Sequence, residues 1–260
     1  MRDLRSEADA TAVPAARVES DSAARPAHPL DNAVWHSLQT EQRDLAERDA
    51  SGIAARYRDD LSPFHAVDVL ASDAWAALTA LAGPGETLVL FRDEIGPPPP
   101  GWSVLFAGVG HQMVAPDVLP TARPIHGALR PIAEDDLEQV LALVALTKPG
   151  PFRSRTVDLG GYVGVFDGDR LVALAGERMH LSGHAEISAV CTHPDAQGRG
   201  LAAAVTLHVA AQIRSRGEVP FLHVAVGNDN AVRLYERLGF THRRLTQFQA
   251  LRTPPAVGEG

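Results

Sequence analysis

The stretch His193-Pro194-Asp195-Ala196-Gln197-Gly198-Arg199-Gly200-Leu201-Ala202 joins an extended apolar segment to a helix through a turn that is mostly bare backbone. Residues 185–192 before it alternate in polarity, are rich in β-branched side chains and stop near a proline, which predicts a strand. A helix is predicted after the turn, and it closes at Gly217. Its apolar residues recur every four positions: Leu201, Val205, Val209 and Ile213.

The two glycines of this turn, Gly198 and Gly200, allow tight turning and keep side chains away from the backbone. Several N–H groups and the N-terminus of the following helix can therefore converge on an anion. Arg199, between the glycines, adds a positive charge. The sequence thus predicts a phosphate-binding loop.

Two motifs in succession resemble those of a known family. Residues 197–202 have the signature Gln-x-x-Gly-x-Ala, and they resemble the pyrophosphate loop of the GCN5-related N-acetyltransferase (GNAT) superfamily, which holds coenzyme A. After the next predicted strand, residues 228–240 carry an Asn, an Ala, Tyr-Glu and Leu-Gly-Phe in the family's order. Together with Glu-Ile-Ser-Ala-Val-Cys-Thr at residues 186–192, they are most similar to the FR47-like branch. The resemblance covers about residues 125–252, roughly half of the chain.

The glycine motif alone leaves an alternative. Residues 198–203 also satisfy Gly-x-Gly-x-x-Ala, a dinucleotide-binding pattern that expects an acidic residue about twenty positions on, at the end of the next strand. Glu218 has that distance, but it precedes the predicted strand at residues 219–226 instead of ending it. The dinucleotide hypothesis therefore fails on placement. A glycine turn without a ligand is the other alternative, and the second motif argues against it.

Composition narrows the class of protein. At 260 residues, 45% of them hydrophobic, the chain can build two modest domains or one large one. Its net charge of −8 opposes nucleic-acid binding. No apolar run reaches the length of a membrane span, and residues 1–25 lack the apolar stretch of a signal peptide, so we expect a cytoplasmic protein that does not bind membranes. The single cysteine, Cys191, excludes an internal disulfide and is expected to be a small buried residue.

The order of predicted elements matches an α/β fold with a mixed, mostly antiparallel sheet flanked by helices, as the resemblance implies. We expect a disordered segment at residues 1–28, an N-terminal α/β region at 29–115, a linker at 116–124, the acetyltransferase domain at 125–252 and a tail at 253–260. The N-terminal region is either a degenerate copy of the same fold or a family-specific cap. The patterns do not separate these alternatives.

Individual elements are predicted as follows. In the N-terminal region, residues 38–57 and 73–82 are expected to be helical, and residues 87–91 and 102–106 to be strands. In the second half, a strand at residues 125–130 is followed by a helix with apolar residues on one face, and Asp167-Gly168 indicates a hairpin.

The resemblance implies a site for acetyl-CoA, with no metal. In the family, pantetheine pairs with the strand that here ends at Thr192, so main-chain contacts are expected there, and an N–H near Val190 would stabilise the tetrahedral oxyanion. Asn228 occupies the position whose side chain contacts the coenzyme in relatives, and Asn230 is the second candidate for this contact. The expected cofactor-binding residues are Val190, Cys191, Thr192, Gln197, Gly198, Arg199, Gly200, Leu201, Ala202, Asn228 and Tyr235.

Acetyl transfer to an alkylamine requires removal of a proton, because the ammonium has a pKa of about 10.4. Glu186 has the position of the general base in several family members, eleven residues before Gln197, and burial is expected to raise its pKa toward neutrality. An ion pair with an arginine such as Arg178 is the alternative. Glu177 and His184 are reserve candidates for the base. Structural or substrate-contacting roles are expected for His223 and Ser188.

Tyr235 matches the family tyrosine whose hydroxyl lies beside the coenzyme sulfur and protonates the leaving thiolate; the alternative is a packed aromatic residue. The loop that borders the acceptor pocket in the family supplies candidate substrate contacts: Phe152, Arg153 and Arg155. The predicted function is transfer of an acetyl group from acetyl-CoA to a primary amine of a small molecule or protein, by direct attack in a ternary complex. A non-catalytic acyl-CoA sensor and an O-acyltransferase are the alternatives. The acceptor and the oligomeric state stay open.

Overall fold

The computed structural model describes residues 28–256, which form five α-helices and eleven strands. The first half comprises α1 (Ala33–Gln39), β1 (Ala46–Arg48), β2 (Ala54–Tyr57), β3 (Phe64–Val67), α2 (Ser72–Ala82), β4 (Thr87–Arg92) and β5 (Ser103–Val114). The second half comprises β6 (Ala128–Pro131), α3 (Leu137–Thr147), β7 (Val163–Asp167), β8 (Arg170–Leu181), β9 (His184–Thr192), α4 (Leu201–Ser215), β10 (Val219–Ala225), α5 (Asp229–Arg237) and β11 (Thr241–Arg252). The expected disorder of residues 1–28 falls, except for His28, outside the described residues, as does the tail from residue 257.

All eleven strands belong to one mixed sheet, in the order β1-β2-β3-β4-β11-β5-β10-β9-β8-β7-β6. The two halves exchange their last strands within it. β5, from the first half, pairs antiparallel with β10 and with β11. β11, from the second half, pairs antiparallel with β4. The expected linker at residues 116–124 contains no helix or strand and connects two interlocked halves. The domain bounds themselves stay a prediction.

The first half repeats part of the topology of the second. Two parallel neighbouring strands are joined by a helix in each half, as β3-α2-β4 and as β9-α4-β10. An antiparallel run precedes each pair, as β1-β2-β3 and as β7-β8-β9. This repetition favours the degenerate copy over an unrelated cap. The counterpart of the glycine loop, residues 68–71, has the sequence Asp-Val-Leu-Ala and contains no glycine.

Helices cover both faces of the sheet. On one face, α4 packs over strand residues such as Ile187 and Leu222. On the other face, α1 packs beside Phe221, and α3 packs beside Cys191. Within residues 28–256, no helix combines the length and the apolar character that crossing a membrane requires.

The helix expected at residues 38–57 is wrong. α1 ends at Gln39, and β1 and β2 both lie within that range. β3 had no counterpart among the predicted elements, and the strand expected at residues 102–106 extends to Val114 as β5. β1, β2 and β3 have only three or four residues each, so their pairing with neighbouring strands decides their conformation more than their local pattern does. The other expected helices and strands are found within a few residues of their predicted bounds.

Candidate active site

β9 and β10 lie side by side over only part of their length. Residues 184–187 of β9 pair in parallel with residues 219–222 of β10. Beyond that point β10 continues beside β5, while residues 188–192 of β9 stay paired with β8 alone. β9 therefore presents a free edge over its last five residues, which offers backbone N–H and C=O groups to another extended chain.

A β-bulge lies where the two strands separate. Ala189 has a φ of 54°, a conformation that residues other than glycine rarely adopt. Ser188 faces Gly176 of β8, and Cys191 faces Leu174, so the register shifts by one residue between these pairs. Such a bulge leaves a backbone group outside the ladder of hydrogen bonds. The oxyanion contact expected for an amide near Val190 falls at this bulge and stays a prediction.

The glycine loop leads into α4. Gly198 and Gly200 have φ values of 77° and 75°, and a Cβ on either would meet no atom within 4 Å. No side chain caps the N-terminus of α4, so the N–H groups of its first turn lack a partner from a capping residue. The guanidinium of Arg199 forms an ion pair with Asp167, at 3.0 Å between Nη1 and Oδ2. The loop has the shape of an anion site, and its one cation already has a protein partner.

The other residues expected to contact the coenzyme have different surroundings. The Thr192 Oγ1 atom is buried without a hydrogen-bond partner in the described part of the chain. Cys191 is buried, which raises its pKa to about 11, so it stays a thiol. Gln197 is exposed, whereas Leu201 packs in the core. The Asn228 side chain caps α5, because its Oδ1 atom accepts a hydrogen bond from the Ala231 N–H at 3.2 Å.

Tyr235 projects from α5 into the core. Its side chain is buried, and its ring lies 5.9 Å from that of Phe240. Burial raises the pKa of the Tyr235 hydroxyl, and the nearby Cys191 thiol raises it further. A hydroxyl with a raised pKa stays protonated at neutral pH and is able to donate a proton to a stronger base. The position of Tyr235 beside β9 suits the acid that the sequence predicts.

Glu186 lies at the centre of a buried ion pair. Arg178 donates to it twice, from Nε to Oε2 and from Nη2 to Oε1, each at 2.6 Å, and the Nδ1 atom of His223 lies 2.7 Å from Oε1. Burial by itself would raise the pKa of Glu186, but the Arg178 charge and the His223 hydrogen bond lower it to about 2. The expected rise is therefore wrong. The ion pair with Arg178, the alternative role, is what the structure shows.

Side chains of the first half close over this ion pair. The Arg178 guanidinium lies 4.9 Å from the ring centre of Phe64, and the ring of Phe91 lies 4.4 Å from that of His223. The Nε2 atom of His223 lies 3.1 Å from the side-chain nitrogen of Gln112. Glu186 has no exposed surface. An acceptor amine cannot reach its carboxylate without displacing these partners.

The reserve bases are also engaged. Arg216 binds both oxygens of Glu177, at 2.6 and 3.2 Å, on a groove at the C-terminal end of α4. Ligand atoms of Glu177, His180 and Glu218 lie within 4.8 Å of one another there, but Arg216 already pairs with both carboxylates. His184 lies 3.1 Å from the carbonyl of Ser182 in its own turn. That the reaction needs no metal stays a prediction.

The expected substrate loop has mixed surroundings. The Phe152 ring stands edge-on to Tyr162, with 5.9 Å between centres. Arg155 forms ion pairs with Asp158 at 2.7 Å and with Asp60 at 3.2 Å, so it links the two halves of the chain. Arg153 is exposed. Phe152, Arg153 and Arg155 thus stay candidates for acceptor contacts, and the ion pairs of Arg155 hold its side chain beside the first half.

One polar residue of the site was missed in the sequence. Tyr162 is buried, and it belongs to the same apolar cluster as Ala189 and Cys191 of β9 and Val140 of α3. Its only sequence signal is its position at the start of a predicted strand, which gives no hint of the contact. Its ring rests on Gly176, where a Cβ would lie 2.3 Å from the ring.

A parallel strand pair that separates at a bulge, with a glycine-rich turn between the first strand and the following helix, is the arrangement expected of an acetyltransferase fold. Comparisons with known proteins give the family. Residues 162–249 match the FR47-like protein family. A solved structure from Novosphingobium aromaticivorans, assigned to the GNAT family of acetyltransferases, is 40% identical, with a TM-score of 0.78 and coverage of 86% of this chain and 98% of that one. The chain therefore belongs to the GNAT family and carries an FR47-like domain.

Two further relatives agree with this assignment. A mycothiol acetyltransferase from Actinosynnema mirum is 39% identical over 87 residues, which is 32% of this chain and 29% of that protein. The match thus spans less than a third of that curated relative. A GCN5-related N-acetyltransferase from Kribbella flavida shares the fold at 16% identity, with a TM-score of 0.60 and coverage of 87% of this chain and 96% of that one. The predicted family, fold and enzyme class are confirmed.

Proposed function

We propose that this chain transfers an acetyl group from acetyl-CoA to a primary amine, by direct attack in a ternary complex. The observation that carries the proposal is the free edge of residues 188–192, which runs from the bulge at Ala189 toward the glycine loop. A pantetheine arm paired with this edge would place its thioester at the bulge while the pyrophosphate lies on the loop.

The loop supports coenzyme binding in a specific way. Gly198 and Gly200 leave open space in front of the backbone, and α4 has no capping side chain. A pyrophosphate there would accept hydrogen bonds from the N–H groups of residues 198–202. It would also interact favourably with the helix dipole. The unpartnered Thr192 Oγ1 atom lies on the expected path of pantetheine.

The chemistry follows from three groups. The amine nitrogen attacks the thioester carbonyl carbon, and the carbonyl electron pair moves to oxygen, where the N–H near Val190 stabilises the charge. Collapse of this intermediate breaks the C–S bond. Tyr235 then donates a proton to the leaving sulfur. Its raised pKa keeps it protonated until that step but makes it a weaker acid, so the transfer requires that burial also raises the pKa of the sulfur. The amine nitrogen loses its proton to water, and a proton from water returns to the Tyr235 oxygen, so the products are the amide and free coenzyme A.

We assign Glu186 to positioning and not to proton removal. Both of its oxygens accept hydrogen bonds from Arg178, one of them also from His223, and its pKa of about 2 makes it a poor base at neutral pH. Water near the bulge, or deprotonation before binding, would then remove the proton. Acceptors with α-amino groups, whose pKa is about 8, have a neutral fraction at pH 7 roughly two-hundredfold larger than that of lysine-like amines, whose pKa is about 10.4. We expect the enzyme to favour the former.

The experiment is a screen of amine and alcohol acceptors, in which release of free thiol from acetyl-CoA reports turnover. Turnover with an amine and none with the matching alcohol supports the proposal. Turnover with alcohols alone would establish an O-acyltransferase. Thermal stabilisation by acetyl-CoA without turnover on any acceptor would favour the acyl-CoA sensor.

A further inference from the structure

Tyr162 carries a buried hydroxyl that has no hydrogen-bond partner within residues 28–256. The residue is only 5% exposed. Buried polar groups nearly always have partners, because an unbonded one loses its hydration without compensation. The contrast with Tyr57 is direct, since that hydroxyl bonds to Ser37 at 2.8 Å and to Gln42 at 2.7 Å. The Tyr162 hydroxyl thus lacks a hydrogen-bond acceptor, and a bound ligand could supply one.

Its position relates this hydroxyl to the bulge. The Tyr162 ring lies against Gly176, which faces Ser188 across β8 and β9, directly before the bulge. Ala189 and Cys191 belong to the same buried cluster as Tyr162. The absence of a side chain at Gly176 is what lets the ring approach β8 so closely. Tyr162 therefore lies over the segment of β9 where the thioester is expected.

The charges around Tyr162 keep it a donor. Burial raises the pKa of its hydroxyl strongly; the Arg178 charge lowers it, and Glu186 and Cys191 raise it. Cys191 also raises the pKa of Tyr235, so both tyrosines lie within electrostatic reach of this thiol. Tyr235 packs in the cluster on the α4 face, and Tyr162 packs in the cluster on the α3 face. The two phenols thus approach the end of β9 from opposite faces.

We propose that the Tyr162 hydroxyl donates a hydrogen bond to the carbonyl oxygen of the bound thioester and forms an oxyanion site with the N–H near Val190. This inference rests on the proposed function. When the amine adds to the carbonyl carbon, the oxygen gains the electron pair and both donors stabilise it. When the C–S bond breaks, the C=O bond re-forms and Tyr162 keeps its proton. Tyr235 remains the residue that protonates the sulfur.

The test compares phenylalanine variants of all three tyrosines in the chain. Tyr162→Phe should leave the melting temperature of the free protein unchanged or higher, because it removes an unbonded hydroxyl. It should lower kcat by about 10²–10³, the usual effect of losing one oxyanion donor, without raising KM for the amine. Tyr57→Phe, the matched control, should lower the melting temperature and keep kcat. Tyr235→Phe provides the comparison for loss of the acid.

A second measurement needs no acceptor. The affinity for acetyl-CoA is divided by the affinity for coenzyme A, which lacks the acetyl group and therefore the thioester carbonyl. This ratio is measured for wild type and for Tyr162→Phe. The proposal expects this ratio to fall in the variant while coenzyme A binds equally to both proteins. An unchanged ratio, or full kcat in Tyr162→Phe whatever its stability, would overturn it, as would a raised KM for the amine with kcat kept. Absence of turnover in wild type would instead count against the proposed function, and the affinity ratio would still decide the role of Tyr162.

Discussion

At the scale of single residues, Glu186 shows how partners reverse the effect of burial. Glu186→Gln keeps the shape of the side chain but leaves the Arg178 guanidinium without its counter-charge in a buried site. We expect the free energy of unfolding to fall by about 3–5 kcal/mol, as when a buried pair loses one member. Profiles of kcat/KM against pH should be parallel for variant and wild type. A variant whose activity recovers selectively at high pH would return Glu186 to the role of base.

The same carboxyl group predicts an acid limb of stability. Its pKa is lowered from an ordinary value of 4.5 to about 2 in the folded protein. A lowered pKa means that the folded state favours the ionised form, so this stabilisation is complete above about pH 4.5 and is lost as the pH falls toward 2. Denaturant unfolding between pH 6 and about pH 2 should show this loss in wild type. In Glu186→Gln the fall over that range should be smaller, and an equal fall in both proteins would assign it to other groups.

Tyr235→Phe removes only a hydroxyl from a ring that packs in the core. The variant should fold normally and bind coenzyme A within a few-fold of wild type. Its kcat should fall by about 10²–10⁴ on an acceptor for which thiolate protonation limits the rate. Steady-state kinetics together with calorimetric binding of coenzyme A separate the two effects. Full turnover would mean that Tyr235 only packs.

The sequence identifies the residues of the candidate site better than it predicts their protonation states and partners. The position of Glu186 on its strand and a pairing with Arg178 both follow from local pattern. The lowering of its pKa comes from the Arg178 charge and from a hydrogen bond with His223, which is 37 residues away in sequence. Tyr162 was missed for the same reason, since its environment is assembled from three strands and α3.

At the scale of elements, the glycine loop and α4 act as one unit. Gly200→Glu places a side chain and a negative charge in front of the uncapped helix N-terminus, so affinity for coenzyme A should fall by about tenfold or more. Gly217→Glu is the matched control, because Gly217 has a similar φ of 80°, equally open space and a position at the far end of α4. Thermal shift with coenzyme A measures both. Equal stabilisation of the folded Gly200→Glu variant and the control would remove the loop from the site.

Elements with strong periodicity could be predicted and short ones could not. α4 repeats apolar residues over fifteen positions, and the pattern alone locates it. β1, β2 and β3 have three or four residues each and gain their conformation from neighbours in the sheet, so residues 46–57 resembled the end of a helix. The splay of β9 from β10 has no sequence pattern that marks it, since it begins at the bulge where Ala189, a residue other than glycine, adopts a φ of 54°.

At the scale of the whole molecule, the exchange of strands couples the two halves. β5 fills the place beside β10, and β11 fills the place beside β4, so each half completes the sheet of the other. The first half also covers the Arg178–Glu186 pair through Phe64 and Phe91. In the first half, β3 corresponds to β9, and side chains occupy its C-terminal end. Asn32 and Arg92 both donate hydrogen bonds to the carbonyl of Val67, the last residue of β3. This copy thus supports the active half and has no comparable free edge at that point.

The exchange predicts how the chain behaves when its connection is cut. Residues 120–124 are exposed and lie outside every helix and strand, so a protease site inserted there should be cleaved without disturbing the sheet. The two fragments should remain together in gel filtration and keep coenzyme A binding, because β5 and β11 are each paired along both edges inside the joint sheet. They should separate only in denaturant, and neither fragment expressed alone should fold, because each would expose a long unpaired edge. The uncut variant is the control for the insertion itself. Fragments that separate without denaturant, or a folded second half on its own, would show that the two halves are independent domains and that the exchanged strands contribute little to holding them together.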